Sequence, residues 1–234
     1  LLQVKSPREL THRVRIEGVL TCQDGRRYFL QDATGSAMAL AKEEVMLRTP
    51  GHPWHWVFWQ SPDTNAPDRN PPDLRVGDRV QVAGFPERGA EAPVLTEALV
   101  RKAGPPQPAQ PQAAAWRDIL LGRHESALVS LEGRVLGHEV LGPDIVLELE
   151  SGEKVFQAIL RGRGKDRSPP RLRPATRVRV TGVCQVEPVT YAELGKRLSS
   201  FKLLMRSPED ITVLERPSWW DLRRALMAGG ALAA

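Results

Sequence analysis

The sequence predicts an all-β protein built from two tandem five-stranded Greek-key barrels with short connecting helices. Three observations lead there. An internal repeat comes first: Val14-Arg15-Ile16-Glu17-Gly18-Val19-Leu20 returns as Val129-Ser130-Leu131-Glu132-Gly133-Arg134-Val135, and the run from Leu74 to Gly84 returns as Leu172 to Gly182. Apolar and polar residues alternate with period two in both copies, between turn residues, as half-buried strands do. Finally, a glycine interrupts each long first strand, which suits a strand bending round a barrel corner and has no use in a flat sheet. Five strands with an insertion between the third and fourth fit the OB-fold best.

Element by element, Ser6 at an N-cap and Pro7 at the first helical position predict one helical turn before the first strand. Strands are expected at 12–22, 27–32, 36–41, 78–84 and 93–101 in the first copy, and at 127–138, 144–150, 154–160, 176–185 and 200–214 in the second. Between the two matched runs, Phe29 to Gly35 answers Val146 to Gly152, a strand entering a tight turn. The segment Gly104 to Gln112 is rich in proline, which favours an extended spacer. Residues 113–122 then predict a short helix stopped by Gly122, with Trp116, Ile119 and Leu120 on one face packing the barrels together. The expected organisation is therefore a first barrel over 1–104, a linker and helix over 105–122, a second barrel over 123–217, and a tail over 218–234.

Composition narrows the function classes. The 234 residues carry 33 Lys+Arg against 28 Asp+Glu, a net charge of +5. With 41% hydrophobic and 26% charged residues the chain buries a core, which excludes a disordered protein. Twenty prolines, nineteen glycines and 6% aromatics disfavour long helical bundles. The arginine surplus, accompanied by abundant Ala, Pro and Gly, reads as solvated surface before it reads as a nucleic-acid footprint. Cys22 and Cys184 lie 162 positions apart, a spacing that argues against a zinc ribbon and leaves a disulfide open.

No apolar run reaches about 18 residues, so nothing in the chain spans a bilayer by itself. At the C-terminus, however, Trp219 and Trp220 lead into ten uncharged residues, Ala225 to Ala234. That pattern resembles an interfacial aromatic belt entering a membrane helix, with an amphipathic tail helix capped by Ser218 as the plainer alternative. Arg223 and Arg224 at this edge pull towards a cytoplasmic side.

No catalytic constellation is evident. His12, His52, His55, His124 and His138 fall in different elements, away from any nucleophile motif. His52 and His55 make a weak H-x-x-H, and Arg161 to Arg167 lacks the spacing of a phosphate loop. Neither a metal nor a cofactor is expected. The most unusual segment is 50–72, where Trp54, Trp56, Phe58 and Trp59 form either a ligand or partner surface or a plug under the barrel. A nucleic-acid surface would use Arg26, Arg27, Tyr28, Arg161 and Arg163. Tyr28 and Phe29 point to opposite sheet faces, so one of them is expected in the core, and a single platform aromatic per copy makes a poor single-strand groove.

The runs Val14 to Thr21, Tyr28 to Gly35 and Leu74 to Val80, with Asp118 to Gly122, Val129 to Gly133 and Arg177 to Val183, resemble the N-terminal region of bacterial membrane-bound sensor histidine kinases, some of whose relatives carry a diguanylate cyclase output. The resemblance covers about residues 4–217, and the long Trp-rich insertion departs from it. It implies an extracytoplasmic tandem barrel region on the periplasmic face of the inner membrane, a membrane helix and a cytoplasmic kinase core. It also implies a small molecule or periplasmic protein as ligand, and a homodimer in the full-length protein. With no kinase ATP site or phospho-acceptor helix, the chain is expected to have no activity of its own. Two functions follow: a sensory or interaction module with nucleic acid disfavoured as partner, or alternatively a soluble single-stranded nucleic-acid-binding protein.

Overall fold

The computed structural model describes residues 12–41, 74–88, 92–162, 172–191 and 196–217. The chain divides into two compact units, Leu1–Ala109 and Gln110–Ala234. In the first, β1 (Val14–Asp24), β2 (Arg27–Gln31), β3 (Ser36–Ala41), β4 (Arg79–Arg88) and β5 (Pro93–Lys102) close a barrel in the order β1-β2-β3-β5-β4. Only the β3–β5 pair is parallel; the others are antiparallel. This is the five-stranded Greek-key closure of an OB-fold. Leu20, Tyr28, Leu30, Val80, Val82 and Leu95 fill its core.

The second unit starts with β6 (Gln112–Ala113) and α1 (Trp116–Leu120), followed by β7 (Leu128–Leu141), β8 (Asp144–Ser151), β9 (Lys154–Leu160), β10 (Arg177–Tyr191), β11 (Lys196–Met205) and β12 (Ile211–Glu215). A β10–β7 pairing closes β7-β8-β9-β11-β10 into a ring, and β9–β11 is again the parallel pair. Its core includes Leu147, Leu149, Leu203 and the stacked rings of Phe156 and Phe201, with centroids 5.0 Å apart.

The repeat is structural as well as textual. In both barrels the long first strand passes the second at a glycine: a Cβ on Gly18 would lie 3.1 Å from the Gln31 carbonyl, and one on Gly133 would lie 3.1 Å from that of Glu150. These partners correct the sequence correspondence. Val19 faces Gln31 and Arg134 faces Glu150, so Gln31 matches Glu150 and not Glu148. A slip of two residues leaves every side chain on its own face, and the alternation therefore could not reveal it.

Two expected elements differ from the structure. The helix over 113–122 shrinks to α1, because Gln112 and Ala113 pair with β7 as a short parallel strand. Ile119 of α1 is fully buried in the second barrel's own core, with Trp116 and Leu120 packed against that core. The strand expected over 200–214 is split: β11 and β12 are separated by a single 3-10 turn, Pro208–Asp210. The Asp210 carboxylate accepts from the Arg206 and Ser207 backbone N–H groups at 2.7 and 3.3 Å and from Arg206 Nε at 3.1 Å. The helical turn at Ser6 and the tail over 218–234 lie outside the described residues.

Candidate binding faces

An OB barrel offers a ligand the outer face of its first three strands. In the first barrel this face has no exposed ring. Tyr28, expected to lie on a nucleic-acid surface, is 7% exposed and belongs to the core, where its hydroxyl meets Gln23 Nε2 at 3.3 Å. Burial pushes its phenol pKa up. Phe29 projects from the opposite face beside its cross-strand partners Cys22 and Met38, yet it is fully buried as well. The expectation that one of the two rings would remain a platform is thus corrected: both are withdrawn from solvent.

The described cations proposed with Tyr28 lie at the surface and are engaged by neighbours of their own barrel. Arg26 donates from Nε and Nη2 to the Ala41 carbonyl at 3.0 and 2.8 Å, clamping the end of β3. Arg27 pairs with Asp24 across the β1–β2 turn. In the second barrel Arg161 pairs with Asp144 at 3.1 Å, and Arg163 lies outside the described residues. Phe156 is 1% exposed. Among the residues whose side chains are described, no Phe, Tyr or Trp ring is exposed, while the His12 and His138 imidazoles are.

The barrel flanks repeat one arrangement. Glu17 on β1 receives Arg79 Nη2 at 3.3 Å and Gln81 Nε2 at 2.7 Å from β4, and Arg101 of β5 closes on Gln81 Oε1 at 2.9 Å. Glu132 on β7 receives Arg177 at 3.1 Å and Arg179 at 2.6 Å from β10, while Arg177 also reaches Glu215 at 3.1 Å. Donation from Arg179 first, and then the neighbouring cationic charges, hold the Glu132 carboxyl below its ordinary pKa. Arg134 meets Glu150 at 2.6 Å. Open grooves of about 340 and 410 Å³ lie at matching places of the two barrels, the first over Glu17 and Gln31, the second over Glu132, Arg134, Glu150 and Arg177. Arg79, Arg101, Arg134, Arg177 and Arg179 thus each sit against a carboxylate or amide, which reduces the positive field these five would offer a phosphate chain.

No group of three His, Cys, Asp or Glu able to hold a metal occurs among the described residues. Cys22 and Cys184 are buried thiols, one in each barrel. Burial, and secondarily the charge of Glu125, pushes the Cys184 thiol well above its ordinary range. His124 Nδ1 and Gln185 Oε1 are buried without a hydrogen-bond partner, where the chain entering β7 runs beside β10. Trp54, Trp56, Phe58 and Trp59, with His52 and His55, lie outside the described residues.

One feature escaped the sequence reading. The β7–β8 hairpin runs past the barrel wall to an aliphatic tip, with Val140 63% and Leu141 52% exposed, followed by exposed Gly142 and Pro143. The only signal was the adjacent pair Val140-Leu141, which breaks the period-two alternation just before Gly142-Pro143.

No family model matches the chain, and no curated protein matches it. Among solved structures it is similar to an aspartyl-tRNA synthetase from Entamoeba histolytica, at 15% identity over 46% of this chain and 22% of that one, with a TM-score of 0.33. It is likewise similar to an OBody bound to hen egg-white lysozyme, at 17% identity over 46% of this chain and 100% of that one, TM-score 0.33. A murine DNA-binding protein bound to double-stranded DNA superposes at 9% identity over 88% of this chain and 98% of that one, TM-score 0.30. The chain matches about a fifth of the synthetase's length. At these scores the superpositions are loose, and the fold assignment stands on the strand pairing itself.

Proposed function

We propose that the chain is a non-catalytic interaction module of two OB-like barrels, serving as the extracytoplasmic sensory region of a membrane-bound sensor histidine kinase. The observation that supports the binding-module reading is that, among the described residues, no Phe, Tyr or Trp side chain is exposed and Glu17 and Glu132 hold paired cations, which suits recognition of a protein or a small polar molecule better than the stacking of bases. The sensor assignment rests on the sequence resemblance. In it, the segment with Trp54, Trp56, Phe58 and Trp59 is the input surface, the parent is a homodimer, and residues 218–234 lead to the membrane. Replacing the three tryptophans with alanine in the full-length parent is expected to abolish signal-dependent autophosphorylation while folding is kept; unchanged output refutes that surface.

A second reading has a specific basis: the OB-type barrel and the net charge of +5 both suit a single-stranded nucleic acid. Fluorescence anisotropy with a labelled thirty-nucleotide DNA or RNA strand separates the two. The interaction-module reading expects no binding tighter than about 10 μM at 50 mM salt. Micromolar binding that weakens steeply towards 200 mM salt establishes the nucleic-acid reading in its place.

A further inference from the structure

We propose that the proline ridge Pro105-Pro106-Gln107-Pro108, held along the first barrel, is a docking site for a partner protein whose groove is lined with aromatic rings. The proposal rests on the interaction-module reading given above and names a partner chemistry for it. It starts from spacing. Prolines fix φ at about −65° and keep the residue before them out of the helical region, which here restricts Gly104, Pro105, Gln107 and Gln110 as well. No residue from 104 to 111 has a positive φ, and none belongs to a helix or strand. What is left is extended backbone of the polyproline II kind, with three residues per turn. Pro105 and Pro108 stand one turn apart on one edge, about 9 Å from each other. Pro111 continues the spacing in the sequence.

A spacer needs only length, but this segment is also tied down within the first unit. The Ala103 N–H donates to the Arg79 carbonyl at 2.8 Å, and the Gln107 N–H donates to the Gly77 carbonyl at 2.7 Å. Proline has no N–H, so Gln107 owns the one backbone donor between 105 and 108, and the barrel has taken it. All four ridge residues are exposed, and among the described residues nothing donates to the carbonyls of 104–108. Water therefore meets pyrrolidine rings, carbonyl oxygens and the Gln107 side chain. Without a free backbone donor the ridge cannot extend a partner's β-sheet, which requires donors and acceptors in alternation. It matches a groove in which Tyr and Trp rings hold the prolines while side-chain N–H or O–H groups reach the carbonyls. Residues 103–115 carry no charge, so a phosphate chain or an anionic membrane finds no counter-charge there. The two hydrogen bonds hold the ridge extended before a partner arrives, and docking then loses little backbone freedom.

The test is isothermal titration calorimetry of the 234-residue chain against a panel of purified SH3 and WW domains, whose aromatic-lined grooves serve as probes. At least one domain is expected to bind saturably. Pro105→Ala with Pro108→Ala is expected to weaken that binding roughly tenfold or more, because each substitution removes two methylenes from the contact. Both rings are exposed, so an unchanged circular dichroism melt verifies folding, and each single substitution is read in place of the pair if the pair disturbs the barrel. Nuclear magnetic resonance of the isotope-labelled probe domain locates the contact: shifts confined to its aromatic groove support the ridge, and shifts elsewhere overturn it. A panel in which no domain binds overturns the proposal, as does a variant that binds like the wild type. Kinase output does not enter the readout, so failure here leaves the surface of Trp54, Trp56 and Trp59 to its own test.

Discussion

Ala175 occupies in the second barrel the turn position that Gly77 occupies in the first. The Ala175 N–H donates to the Val135 carbonyl at 2.8 Å, and the Gly77 N–H donates to that of Leu20 at 2.8 Å. Both residues are left-handed, at φ +66° and +95°. The hydrogen bond back to the first strand thus imposes one backbone conformation on two residues with very different tolerance for it.

Opposite signs follow for the exchanged residues. Gly77→Ala is expected to destabilise the protein by about 1–2 kcal/mol, the cost of a Cβ in the left-handed region. Ala175→Gly removes that strain but frees the unfolded chain, leaving a gain of about 0.5 kcal/mol. Urea titrations of the two variants check the signs.

Gly84 and Gly182 form a second equivalent pair, placed where the fourth strand of each barrel crosses the fifth. A Cβ there would lie 2.8 Å from the Thr96 carbonyl oxygen in the first barrel and 2.9 Å from that of Leu204 in the second. Because the obstructing atoms are backbone, neither site can relax by turning a side chain. Alanine at either position is expected to cost about 1–3 kcal/mol, read as a lowered thermal midpoint.

Asp78 links its turn to the end of β5, accepting the Arg75 N–H at 2.8 Å and pairing with Lys102 at 3.0 Å. The Arg75 backbone donation, followed by Lys102, holds its carboxyl below the ordinary aspartate value. A folded-state pKa below the unfolded value of about 3.9 contributes stability that is present above that value and lost as pH falls through the lowered one. Asp78→Asn is therefore expected to flatten the fall of the unfolding midpoint below about pH 4. An Asn variant with the wild-type pH profile refutes this linkage.

The Cys184 thiol is fully buried, and its pKa is raised by burial and by Glu125. Since the unfolded thiol ionises near pH 8.5, the contribution is complete below that pH and declines as pH rises above it. Labelling with a thiol reagent at pH 8 is expected to be slow in the folded protein and to accelerate with urea in step with unfolding. Rapid labelling of Cys184 without denaturant contradicts its burial.

The strands could be read from the chain because their signals are local. Alternation marks 36–41 and 154–160 at their observed limits, and the glycines at 18, 84, 133 and 182 stand where strands cross. Alternation also separates the two faces of a strand, which placed Tyr28 and Phe29 on opposite sides. What lies against each face is a contact between residues distant in sequence, and for this reason the burial of both rings was illegible. The same holds for the arginines: composition counts them, but only the register of β10 on β7 brings Arg177 and Arg179 to Glu132.

By itself, then, the sequence determined the all-β class, the two barrels and their corner glycines, since period and turn chemistry act within a few residues. Tertiary structure alone decided the two-residue offset of the repeat, to which a period of two is blind, and the splitting of the last strand around Asp210. It also decided the pairing of Arg177 and Arg179 with Glu132, and the meeting of Asp144 at the β7–β8 hairpin with the end of β9. Strand direction and register govern these features, and both are set by closure of the ring rather than by any single strand.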